Sequence, residues 1–123
     1  MVARGADALI AVGERVWRFS AQDGVWRPSH ADGAPARRWS AAVAAVPGGV
    51  AVWGGIDGAR ALSDGARYDL ATDRWIPLPA QPAMTPRSDA TAFFDGARLL
   101  VLWGADGARL LTDAWTIELG PAG

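Results

Sequence analysis

A unit of about fifty residues, marked by tryptophan and by glycine-rich turns, runs nearly twice through this chain, with part of a third copy in front. Arg37 to Gly55 reads RRWSAAVAAVPGGVAVWGG and Arg87 to Ala105 reads RSDATAFFDGARLLVLWGA, an alignment that sets Trp53 and Trp103 fifty positions apart. A fixed period of this length, built from strand-like runs and turns, signals stacked sheet units that cannot bury their own faces alone. It constrains architecture far more than activity, and no catalytic signature accompanies it.

Four strands are expected in the best-formed unit. Ser40 to Val46 is a run of small residues suited to an inner strand, ended by Pro47-Gly48-Gly49. Val50-Ala51-Val52-Trp53 is continuously apolar, as in a strand buried on both faces. Gly54-Gly55 and the tight-turn dipeptide Asp57-Gly58, read as a type I′ hairpin, lead to a third strand over Gly65 to Leu70 anchored by Tyr68. Arg74 to Leu78 is a short outer strand in which Pro77 is tolerated because an edge has no ladder bond to lose. Downstream, Ala90 to Phe94, Leu99 to Trp103 and Ala114 to Leu119 repeat the first three strands, with a one-residue deletion in the hairpin. Upstream, Ala8 to Val12, Val16 to Ser20 and Gly24 to Arg27 supply three strands, and that unit lacks its inner strand. The units are bounded as residues 1–34, 35–82 and 83–123, with about ten strands in all.

These residues resemble the kelch family of β-propeller repeats. Arg37, Gly54-Gly55, Tyr68 and Trp75 stand where kelch units carry an Arg before the inner strand, a Gly pair after the second, an aromatic in the third and a Trp in the fourth. The third unit keeps Arg87 and Gly104, has Ala105 for the second Gly and Ile117 for the aromatic. The first keeps Phe19 and Trp26. Where many kelch units place a His at the start of the inner strand, this chain has Ser40 and Ala90. The resemblance implies an all-β, partial, open kelch-type propeller of antiparallel four-stranded blades. Two and a half to three blades do not close a ring that ordinarily needs four to eight. The chain is therefore expected either to be a piece of a longer propeller or to self-associate, for example as two three-bladed chains in a six-bladed ring.

Composition supports a compact protein and removes several functions. Half of the 123 residues are apolar and the formal charge is -1, with no basic cluster to follow a phosphate backbone or an anionic membrane. Nucleic acid and membrane partners are not expected. Cysteine is absent, so there is no disulfide, thiolate nucleophile or cysteine metal site. The stretch Ala8 to Val12 is too short for a convincing signal peptide, no apolar run is long enough to span a bilayer, and the compartment is left open.

Individual residues point to packing and turns. Trp26, Trp75 and Trp103, with Gly54, Gly55 and Tyr68, are expected to build and seal the units. DGAR occurs at Asp57, Asp64, Asp95 and Asp106, but no alternating D-x-D-x-D array supports calcium, and turn chemistry accounts for at least three of the four. His30 is a lone imidazole in a loop, a poor metal ligand without a second one. No Ser-His-Asp order, G-x-S-x-G or paired-Glu arrangement is present. The copper oxidases of the kelch type need Cys, Tyr and His ligands that this inventory cannot provide.

What the resemblance implies is binding by the loops that enter the inner strands. The matching residues are Arg37, Arg38 and Trp39 in one unit and Arg87, Ser88 and Asp89 in the next. Guanidinium groups and an indole there suit an acidic peptide, a protein surface or a small carboxylate. The competing reading makes Arg37 and Arg87 structural, bonded to loop carbonyls or a neighbouring Asp. The functional expectation is a non-catalytic, cofactor-free interaction scaffold. Part of a non-metal sugar-modifying enzyme, or a purely structural segment, are the alternatives.

Overall fold

The computed structural model describes residues 2–4, 8–12, 16–20, 23–28 and 38–119. Among these there is no helix, and every strand pairing is antiparallel. The fold is an open stack of sheets, none closed into a barrel.

The first sheet contains β1 (Val2–Arg4), β2 (Ala8–Val12), β3 (Val16–Ser20) and β4 (Val25–Pro28) in that order. The second contains β5 (Ala42–Val46), β6 (Gly49–Trp53), β7 (Gly65–Asp69) and β8 (Arg74–Pro77), also in chain order. The third contains β9 (Thr91–Phe94), β10 (Leu99–Leu102) and β13 (Ala114–Ile117), while β11 (Ala105–Asp106) and β12 (Arg109–Leu110) form a hairpin. The ten expected strands are all present; β1, β11 and β12 are additional. The first sheet thus does have an inner strand, contrary to expectation: β1 pairs with β2 from Arg4–Ala8 to Val2–Ile10. Three residues without a periodic apolar pattern gave no signal for it.

Alternation explains the second sheet. Ala42, Ala44 and Val46 are buried and their neighbours Val43 and Ala45 exposed, whereas all of β6 is buried. That is the pattern of a strand covered on both faces. On one face Ala44, Val46, Ala51 and Trp53 join Leu99, Val101 and Ile117 of the third sheet in the main core, with Leu78 and Met84 from the connecting segment. On the other face Val50 and Tyr68 pack with Leu70 and Trp75. Tyr68 and Trp75 face each other across β7 and β8 with ring centroids 5.4 Å apart at 60°, and Phe19 and Trp26 do so across β3 and β4 at 5.1 Å and 49°. The Arg67 side chain ties the two stacked sheets together by donating from Nε to the Leu119 carbonyl at 3.1 Å.

The repeat is 49 residues in space, one less than the tryptophans suggest. The bridge Trp39–Ile56 recurs as Ser88–Ala105, and Ile56–Ala61 recurs as Ala105–Leu110. The left-handed residues Ser40 and Asp89, both at φ 58°, keep the same spacing. Three expectations are therefore corrected. The hairpin holds no deletion, Arg38 and not Arg37 is the counterpart of Arg87, and Trp103 replaces Gly54, not Trp53. Trp53 is buried while Trp103 is 53% exposed at φ 59°, so Trp103 is not a core residue of its unit. The hairpins are not type I′ either: pairing of Asp106 with Arg109 makes Gly107 and Ala108 the central residues, and the Asp57–Arg60 bond does the same for Gly58 and Ala59, and only the glycine of each pair has positive φ.

Candidate functional site

The loops leading into β5 and β9 are anchored by arginine. Arg38 is buried, and its Nη1 donates to the carbonyls of Gly54 at 3.0 Å and Asp64 at 3.1 Å and to Asp64 Oδ1 at 2.9 Å. Arg87, at 0% exposure, donates from Nη1 to the Trp103 carbonyl at 3.0 Å and Asp113 Oδ1 at 2.7 Å, from Nη2 to Asp113 Oδ2 at 3.0 Å, and from Nε to the Thr85 carbonyl at 3.0 Å. Each Arg pins the loop between the second and third strands of its own sheet. Burying such a charge is tolerable only with its partners in place.

Asp113 is correspondingly acidic. Hydrogen bonds from Arg87, and then from Trp115 Nε1 at 2.7 Å, hold its carboxyl well below the usual carboxylate range. The two acidic partners were missed in the sequence, although a usable signal exists: each stands 26 residues after its Arg. Asp64 is also the one DGAR aspartate that is not at a turn. Asp95 caps its own turn through the Ala97 and Arg98 amides, both at 2.8 Å, and Asp57 and Asp106 open hairpins.

The expected cluster is therefore divided. Arg37 lies outside the described residues, as does His30. The Arg87 guanidinium is buried and occupied, as the structural alternative for Arg37 and Arg87 requires of it; Arg38, which that alternative did not name, is buried and occupied in the same way, and neither lines an open surface. Ser88 is buried and its hydroxyl donates to Asp89 Oδ2 at 3.0 Å. Trp39, 52% exposed, and Asp89, also exposed, remain on the surface.

Their backbones are firmly held. Trp39 and Ile56 exchange N–H···O bonds of 2.9 and 2.8 Å, and the Asp89 amide donates to the Ser40 carbonyl at 2.9 Å, joining the two loops. An indole and a carboxylate on adjoining braced loops can stack a flat apolar group and accept hydrogen bonds from a donor or cation. Among the described residues no group of three His, Cys, Asp or Glu could hold a metal. An apolar recess along β8, lined by Thr72, Arg74, Trp75, Ile76 and Pro77, lacks convergent polar groups and is less suited to specific recognition.

The fold and this surface define an all-β stack of antiparallel sheets with braced inter-strand loops. No protein-family model matches the chain, and no curated protein matches it.

Proposed function

We propose that this chain is a kelch-like interaction scaffold, part of a larger propeller or assembly, that binds a protein or peptide through the loops entering its inner strands. The exposed Trp39 carries the reading: a large aromatic ring held on a hydrogen-bonded bridge loses little conformational freedom on binding. With Arg38 and Arg87 committed to Asp64 and Asp113, the acidic-ligand chemistry loses its basis at those two residues. The surface chemistry favours instead a segment presenting a flat apolar group next to a basic or amide donor, received by Trp39 and Asp89. No reacting group is required.

A displayed peptide library selected on the intact chain tests this. Selected peptides should be rich in basic and aromatic residues and should bind Trp39→Ala about tenfold or more weakly, with an unchanged melting temperature. Peptides that bind Trp39→Ala and Asp89→Asn as well as the original chain would refute the assignment.

A further inference from the structure

The sheet-on-sheet contact inside the chain has a direction. The third sheet covers the Ala51–Trp53 face of the second with the face that carries Leu99, Val101 and Ile117. Through the 49-residue repeat these three correspond to Val50, Val52 and Tyr68, so the face by which the third sheet docks is the counterpart of the face that carries the Tyr68–Trp75 pair in the second sheet and the Phe19–Trp26 pair in the first, and the opposite face is the one that receives. The receiving face of the third sheet is Thr91, Phe93, Leu100, Leu102 and Thr116, placed together by the register of β9, β10 and β13. Phe93 is 44% exposed, whereas its counterpart Ala44 is buried. At the other end, the docking face of the first sheet carries Phe19 and Trp26, with Trp26 41% exposed.

Trp103 decides which occupant the receiving face fits. In the observed contact the Arg87 carbonyl passes so close to Gly54 that a Cβ there would lie 2.5 Å from it, and the Gly55 amide donates to that carbonyl at 2.8 Å. A following unit that brought an Arg loop of this kind would meet the Cβ of Trp103 in Gly54's place. The eleven residues 54–64, which give Arg38 the Gly54 carbonyl and Asp64, have only three counterparts by sequence in the first sheet, where β2 ends at Val12 and β3 starts at Val16, too few for an Arg-held loop of that length.

We infer that the open face of the third sheet, centred on Phe93 and Leu100 and edged by Trp103, receives the Phe19–Trp26 face of the first sheet of a second copy of this chain. The contact is heterologous, because two different surfaces meet. It does not involve Trp39 or Asp89, so its failure would leave the peptide-binding reading standing.

Light scattering on size-separated chain over a concentration series, with Phe93→Glu, Trp26→Glu and their equimolar mixture, tests the contact. The original chain should show at least twice the chain mass, and each variant alone should run as a monomer with an unchanged circular dichroism spectrum. The mixture should recover a species of two chain masses that grows no further, because one intact seam remains per pair. Thr116→Arg and Trp26→Ser provide the same test if either glutamate variant unfolds. A monomeric original chain, a Trp26→Glu chain that still self-associates, or a mixture that stays monomeric would each overturn the inference.

Discussion

At the residue scale, the pair of positions after the second strand shows how one side chain decides what a sheet can accept. Gly54 sits at φ 70° beside the Arg87 carbonyl, and Gly55 at φ 105° beside the Trp39 carbonyl. Gly104 repeats the second environment almost unchanged, with the Ser88 carbonyl 2.6 Å from a notional Cβ. Only the first position changes, to Trp103. Gly54→Ala should therefore cost more than about 2 kcal/mol, from the left-handed backbone and the carbonyl clash together. Trp103→Gly should be neutral or stabilising by up to about 1 kcal/mol, since relief of the left-handed backbone is partly offset by glycine's unfolded-state entropy. Equal losses in urea unfolding would contradict this account. Arg87→Lys should cost about 1–3 kcal/mol, because an ammonium cannot serve both Asp113 oxygens and two separate carbonyls. An unchanged unfolding midpoint would show that the fork geometry is dispensable.

At the element scale, strands were legible and alignment was not. The apolar run of β6 and the small residues of β5 announce a doubly covered strand beside an inner one, and the turns around Asp73 and Asp95 carry their own side-chain bonds. Two tryptophans after an apolar run looked equivalent, yet Trp53 ends a strand and Trp103 turns out of one; backbone sign is invisible in hydrophobicity. The same one-residue slip moved the arginine from Arg38 to Arg37 and hid the recurring Arg–Asp pair. That pair predicts acid sensitivity. Asp113 has a folded carboxyl held below its ordinary value of 3.8, so its stabilisation is complete above roughly pH 4 and is lost as pH falls through the lower folded value. Urea midpoints measured from roughly pH 7 to about pH 2 should show an acid limb that is shallower in Asp113→Asn, itself less stable at neutral pH because Arg87 keeps its buried charge. An identical acid limb in both proteins would remove Asp113 from the explanation.

At the scale of the whole molecule, stability should be concentrated where two sheets share a core. Trp53, Leu99, Val101 and Ile117 interlock across the second and third sheets, and the backbone bonds from Gly55 to Arg87, Arg87 to Leu62 and Asp89 to Ser40 stitch the same seam. Strand β4 has an entirely exposed run, and β12 is a two-residue exposed strand at a hairpin. Local opening free energy follows burial and the number of bonds that must break together. Amide exchange should therefore be slowest in β6 and β10 and fastest in β4 and β12, with β9 and β7 between them. Gly54→Ala should lower protection in β6 and β10 in parallel, because the residue lies in one sheet and its obstacle, the Arg87 carbonyl, arrives from the next. If β6 lost protection while β10 kept it, the two sheets would open separately, and the stack would be a set of independent hairpin sheets instead of one cooperative block.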